Sequence, residues 1–208
     1  MRLVACFLVL SLTTAGEARE PVLLHQDLLN LLQPRSLVAV GLGVGLAAAS
    51  HPLDEKLEGE IGNPEPFKAL MRVGNYYGST KYGLLAVGGV WSVSRLLGLE
   101  RLQPVSSAVL RALVLSNVLV SPFKFSVARE RPDGSNGLSF PSGHSANSFA
   151  VTTVLARRHG WWIGVPLYSF AATVPLARVH DDKHFFSDTV GGAILGTVAG
   201  LAGTMPDA

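Results

Sequence analysis

Three short clusters of polar residues interrupt an otherwise apolar sequence, and their types suit one kind of chemistry. In KFSVARERP, Lys124 and Arg131 stand seven apart. That is close to two helical turns, so one helix face can present both cations. In SFPSGHSANS, Pro141, Ser142, Gly143 and His144 lead into a run that reads as a helix. In ARVHDDKHFFSD, Arg178 is followed by His184 and Asp188, the last two four apart, so the carboxylate can reach the imidazole along one helix face. Singly, each cluster has an ordinary structural explanation. Cations complement the end of a helix or mark a membrane boundary, a serine caps, and a histidine pairs with an aspartate at the surface. Together they put three cations, two histidines, a carboxylate and a Ser-Gly turn at the ends of apolar helices. Converging cations imply a polyanion, and phosphate is the obvious one. Backbone N–H groups of the Ser142–Gly143 turn, at a helix N-terminus, add an anion seat. Gly143 lets the backbone come close, and Ser142 can donate its hydroxyl.

Lys-x6-Arg-Pro, then Pro-Ser-Gly-His, then Arg-x5-His-x3-Asp resembles the three-part signature of the type 2 phosphatidic acid phosphatase superfamily. That superfamily also includes class A bacterial acid phosphatases and vanadium haloperoxidases. The matching positions are Lys124, Arg131 and Pro132; Pro141 to His144; and Arg178, His184 and Asp188. Ala177 stands where the family commonly has a serine before the arginine, which bears on fine substrate positioning. The stretch PDGSNGLSF between the first two motifs is short for the family and leaves little room for a lid.

The resemblance implies roles that agree with the chemistry. His184 would attack phosphorus and form a phosphohistidine, with Asp188 fixing its tautomer and supporting the developing imidazolium. His144 would protonate the leaving alcohol and then activate water. Lys124, Arg131, Ser142, Gly143 and Arg178 would hold the phosphate oxygens where transition-state charge accumulates. No metal and no cofactor are expected, because the cations perform that electrostatic task. Arg129, His180, Asp181, Asp182 and Lys183 match no motif position and read as solvated rim residues.

The elements that must position these residues are helices. Hydrophobic residues make up 48% of the 208 and charged ones only 15%, against roughly 25% in soluble domains. Mean hydropathy is +0.34. A formal charge of +2 with no basic stripe gives no reason to expect a nucleic-acid partner. Apolar runs at 36–50, 82–99, 106–123, 147–156, 161–177 and 189–204 lack strand alternation, and several are apolar on every side. The reading is therefore all-α, a helical bundle of the kind the resemblance implies, with about five membrane-spanning helices beginning near residue 82. The 15 residues of 36–50 fall short of the roughly 20 a span needs, so this run is expected at the interface or packed on the bundle. HQDLLNLLQ reads as a short amphipathic helix, and 51–68 as a loop with a short helix. Gly192, Gly196 and Gly200 have the spacing of a close helix–helix contact.

Residues 1–18 read as a signal peptide, with Arg2, an apolar core and small residues before a cleavage site after Ala18. The one cysteine, Cys6, lies within it. Residues 19–81 form an N-terminal helical and loop segment, and 82–208 the catalytic core. Arg95, Arg101, Arg157, Arg158 and His159 flank helix connections that should be cytoplasmic. The motifs then face the periplasm from the inner membrane of a bacterial cell, and the substrate would be a lipid phosphate or pyrophosphate. The alternatives are a soluble periplasmic acid phosphatase, a vanadate-dependent haloperoxidase and a catalytically silent lipid-binding membrane protein.

Overall fold

The computed structural model describes residues 24–57 and 65–204, with the side chains of 65–67 left aside. The expected signal peptide, its cleavage site and Cys6 lie outside the described residues. Every regular element among the described residues is helical: α1 (Leu24–Leu31), α2 (Pro34–Ser50), a single 3-10 turn (His51–Leu53), α3 (Asp54–Leu57), α4 (Glu65–Gly78), α5 (Thr80–Leu96), α6 (Gln103–Val127), α7 (Gly143–His159), α8 (Trp161–Ala171), α9 (Thr173–His180) and α10 (Phe186–Ala202). The all-α expectation holds, and HQDLLNLLQ is helical as read.

Two apolar runs differ from their sequence reading. The 36–50 run is part of a continuous helical stretch, Pro34–Leu57, of 24 residues with a window hydropathy of 1.5, long and apolar enough to cross a membrane. Polar HPLDEKL extends the helix without reading as apolar, which is why the run looked too short. Pro34 opens the stretch in the first turn, where its missing N–H costs nothing. The 161–177 run instead divides at Ala172 into α8 and α9.

The bundle is built on α10, which packs along α7, α2 and α6, while α7 also packs on α6 and α8. The α7–α10 contact depends on glycine. A Cβ at Gly192 would stand 2.3 Å from the Ser142 carbonyl oxygen, and one at Gly196 2.0 Å from that of Ala146. At Gly200 it would meet Thr153 Cβ at 2.6 Å. The close contact expected from the spacing is therefore present, and it brings two backbones together at their N-terminal ends. Below it the core is made of small and branched residues such as Ala112, Leu113, Ala150 and Val198.

Polarity is arranged inside out. Asn147 is buried and donates to the Gly78 carbonyl and Thr80 Oγ1, while accepting from Ser116 and Asn117. Outward-facing positions carry Leu37, Leu42, Leu85, Leu96, Phe125 and Val165. Water favours the opposite arrangement, whereas lipid tolerates an apolar exterior around hydrogen-bonded polar groups. Stacked, exposed Trp161 and Trp162 open α8, the kind of pair that anchors at a membrane interface. Gln103–Val127 is a second helix with the length and hydropathy of a span.

Candidate active site

One end of the bundle collects all three motifs. Lys124 lies in the last turn of α6 and Arg178 in the last turn of α9. Ser142 is the N-cap of α7, with Gly143 and His144 in its first turn, and His184 sits in the α9–α10 connection, four residues before Asp188 in the first turn of α10. Ser142 N–H donates to the Asp188 carbonyl at 2.9 Å, so the second and third motifs are joined through backbone. A Cβ on Gly143 would lie 3.9 Å from Lys124 Cε, which places the Lys124 stem beside the Ser-Gly turn. His144 is within electrostatic reach of Arg178, His184, Arg131 and Lys124. Every sequence-predicted site residue is therefore brought together.

Local structure explains how. Helix α6 ends at Ala128, whose φ of 47° turns the chain back on itself. Its N–H closes the helix on the Lys124 carbonyl. The returning segment is tied to the α9–α10 connection by Asp133 N–H to the Asp182 carbonyl and by the Lys183–Asp133 ion pair. Lys183 beside Asp133 holds that carboxyl below the usual carboxylate range. Arg131 is fixed between Asn136 Oδ1 at 2.9 Å and the Lys183 carbonyl at 3.3 Å. Arg178 donates to Asn75 Oδ1 at 3.3 Å, and Asn75 also donates to Asp181 Oδ2 at 2.9 Å.

The centre is the His184–Asp188 pair. Both side chains are buried, and Nδ1 lies 3.8 Å from Oδ2, within ion-pair range but beyond a hydrogen bond. Asp188 Oδ2 accepts from Ser139 Oγ at 2.5 Å and from Phe185 N–H at 2.9 Å, and Oδ1 accepts from Arg129 at 2.7 Å. Burial pushes the His184 imidazole from its ordinary 6.5 down to about 4; Asp188 opposes that shift, and Lys124, Arg131 and Arg178 add to it. The ring is thus neutral near pH 7, with a free electron pair. Three buried polar atoms here have no hydrogen-bond partner: His184 Nδ1, Arg178 Nε and Ser145 Oγ. Uncompensated burial of such groups is costly and recurs at sites that bind polar ligands.

Arg129 corrects the sequence reading. It is not a solvated rim residue: its guanidinium bridges Asp188 Oδ1 and Asp54 Oδ2, 2.9 Å away, and lies 4.0 Å from the centroid of the Phe185 ring. Lys183 and Asp181 keep rim positions as partners of Asp133 and Asn75. Sequence reasoning missed Asp54, Asn75, Ser139 and Ser187. Ser139 stood inside the quoted SFPSGH stretch, but nothing local marks Asp54 or Asn75.

The PAP2 superfamily model matches residues 134–205, which include Ser142, Gly143, His144, Arg178, His184 and Asp188. That segment, about a third of the chain, matches the PAP2 superfamily. The chain is 34% identical over 94 residues to a lipid A 1-phosphatase of Porphyromonas gingivalis, a match spanning 44% of this chain and about a fifth (21%) of that relative. Among solved structures it resembles the transmembrane PAP2 type phosphatidylglycerolphosphate phosphatase from Bacillus subtilis, with a TM-score of 0.64, 21% identity and coverage of 85% of this chain and 93% of that one. It also resembles Aquifex aeolicus LpxE, with a TM-score of 0.58, 23% identity and coverage of 73% and 94%. At those identities the likeness shows the fold alone, and it covers helices beyond the matched segment.

Proposed function

We propose that this chain is a membrane-embedded phosphatase of PAP2 type that hydrolyses a lipid phosphate or pyrophosphate through a phosphohistidine on His184. The observation that carries this reading is the buried, neutral His184 with Asp188 at its Nδ1, set where Lys124, Arg131 and Arg178 converge on the α7 N-terminus. With Nδ1 turned to Asp188, Nε2 is the attacking nitrogen. A P–N bond forms as the P–O bond to the lipid breaks, and His144 gives its proton to the leaving oxygen. His144 then takes a proton from water, which attacks phosphorus, breaks the P–N bond and returns His184 neutral. The three cations and the Ser142–Gly143 turn hold the equatorial oxygens throughout. These charges supply the electrostatic stabilisation that a metal ion supplies elsewhere, so the reaction is proposed to need none.

Orientation follows from charge. The ends of α5 and α7 away from the site carry Arg95, Arg157, Arg158 and His159, with Arg101 in the α5–α6 connection. The positive-inside rule puts that end in the cytoplasm and the site at the exported face. Helices α5, α6, α7, the α8–α9 pair and α10 then cross in alternation, the five spans expected from sequence. Asn30, just before α2, donates to the Ala202 carbonyl at the C-terminus of α10, and Asp54, just after α2, binds Ser187 at the α10 N-terminus. So α2 runs the length of the bundle, and we propose it as a sixth span with residue 34 on the cytoplasmic side. Six spans and cleavage after Ala18 at the outer face exclude one another.

A phosphate-release assay tests the activity, run with a lipid phosphate beside a water-soluble ester. Turnover of the lipid in excess EDTA, with inhibition by orthovanadate, is expected. Loss on chelation restored by magnesium or zinc contradicts the role given to the cations, and a preference for the soluble ester favours a broad acid phosphatase. For orientation, in a Cys6→Ser background, a cysteine at Ser135 should react with an impermeant reagent and one at Gly160 should not.

A further inference from the structure

Behind the dyad lies a charge network that the phosphate-handling residues do not use. Asp54, at the start of α3, is buried and reaches across to the first turn of α10. Its Oδ1 accepts from Ser187 N–H at 2.8 Å and its Oδ2 from Ser187 Oγ at 2.6 Å. The N-cap residue of α10 is Phe185, which has no acceptor, so a carboxylate from another helix satisfies one of the exposed N–H groups. That choice brings two buried carboxylates, Asp54 and Asp188, to a single helical turn, where they repel. Arg129 resolves the conflict. One terminal nitrogen binds Asp188 Oδ1 at 2.7 Å and Ser187 Oγ at 2.8 Å, and the other binds Asp54 Oδ2 at 2.9 Å. The group retains a single net negative charge behind His184, the sign needed as the imidazole becomes cationic on phosphorylation.

Geometry makes this more than a cap. Asp188 Oδ2 accepts from Ser139 and Phe185 N–H, and the Arg129 contact on Oδ1 is the remaining restraint on the carboxylate's rotation. Rotation of that carboxylate moves Oδ2 relative to His184 Nδ1, now 3.8 Å away. Neither Arg129 nor Asp54 lies within the matched segment 134–205. We propose that Arg129, anchored by Asp54, is a positioning residue that aims Asp188 at His184 and so sets the rate of phosphoryl transfer without binding the substrate.

The proposal rests on the phosphatase reading above, and its test separates the two. Wild type, Arg129→Gln, Arg129→Lys, Asp54→Asn and the Arg129→Gln/Asp54→Asn pair are assayed in detergent with a lipid phosphate. Inhibition by inorganic phosphate and melting temperature are measured alongside. Misaiming a catalytic group by about 1 Å costs on the order of 10²-fold, so Arg129→Gln should lower kcat by about that factor while KM and phosphate inhibition stay within about threefold. Arg129→Lys, a point charge that cannot span both carboxylates, should recover about half of the loss on a logarithmic scale. Asp54→Asn should lower kcat by about tenfold alone and add little to Arg129→Gln, since it acts through the same guanidinium. Wild-type inactivity sinks the phosphatase reading. With wild type active, this inference alone is overturned by unchanged kcat in Arg129→Gln, by a rise in KM and weaker phosphate inhibition matching the fall in kcat, or by multiplicative losses in the pair. If Arg129→Gln fails to fold, Asp54→Asn and Arg129→Lys carry the same test, with kcat falling and phosphate inhibition unchanged as the required pattern.

Discussion

Helices α7 and α10 meet twice, and the two meetings differ in kind. Along the seam at Gly192, Gly196 and Gly200, backbone packs on backbone so tightly that one added carbon would overlap a carbonyl oxygen. At the N-terminal ends of the same two helices, where the end of α9 and the α9–α10 connection join them, lies a site in which His184 Nδ1, Arg178 Nε and Ser145 Oγ are buried without hydrogen-bond partners. A catalytic group must be held to within about half an ångström, yet its reacting atoms must remain uncommitted. Fixing the backbone in the seam lets the side chains above it stay free for substrate. Damage to the site should therefore abolish turnover and spare the fold, and damage to the seam should do the reverse.

The largest expected effect is at the site. His184→Ala should lose on the order of 10⁵-fold or more in kcat with melting temperature near that of wild type, as removal of a covalent nucleophile does elsewhere. His144→Ala should be comparably slow on ordinary lipid substrates but should still accumulate phosphoenzyme from esters with good leaving groups. Asp188→Asn should cost about 10⁴-fold in kcat with little change in binding, because an amide presents the wrong partner to the imidazole. A Gly196→Val chain should show the complementary pattern. Its side chain meets the Ala146 backbone oxygen, which cannot yield, so a stability loss of about 3 kcal/mol is expected by thermal melting. A melting point equal to wild type in that variant would break the comparison outright.

Acidity sharpens the same contrast. His184 is held at about 4, so its nucleophile remains neutral well below the ordinary histidine range. The acid limb of kcat/KM assigned to it, by comparison with His184-independent binding of phosphate, should lie near pH 4 rather than 6.5. Stability follows the same group. Between 6.5 and about 4 the unfolded chain binds this proton and the folded one does not. The contribution is whole above pH 6.5 and is lost as pH falls toward 4. A limb at 6.5 would mean that the ring is solvated.

What the sequence made legible was short in range. Lys124 to Arg131, the Pro141–His144 turn and His184 to Asp188 are each short in sequence, so spacing alone exposes them. The glycine seam was readable for the same reason. The shared helix faces expected for the two pairs are absent: α6 ends at Val127, before Arg131, and His184 lies in the connection ahead of α10. Asp54 was not, because its partner Ser187 lies 133 residues away and only the fold brings them together. Arg129 was misjudged because a cation in a polar loop reads as solvated until the carboxylates facing it are seen. The division of 161–177 at Ala172 was announced by Pro175, which has no N–H to give the Ala171 carbonyl four residues back and whose ring crowds it, a signal that the uniformly apolar reading of the run passed over. The smallest prediction concerns another such position. Ala128 closes α6 in a left-handed conformation that glycine adopts more readily, so Ala128→Gly should stabilise the chain by about 1 kcal/mol without altering kcat.

The central claim is a covalent bond to one nitrogen. Purified wild type and the His144→Ala variant are mixed with a lipid phosphate carrying a good leaving group, quenched within milliseconds in base, and digested for mass spectrometry. The account predicts an acid-labile, base-stable phosphoryl group on His184, prolonged in His144→Ala and absent from His184→Ala. Full turnover with no adduct in either chain, or an adduct on any other residue, would contradict it.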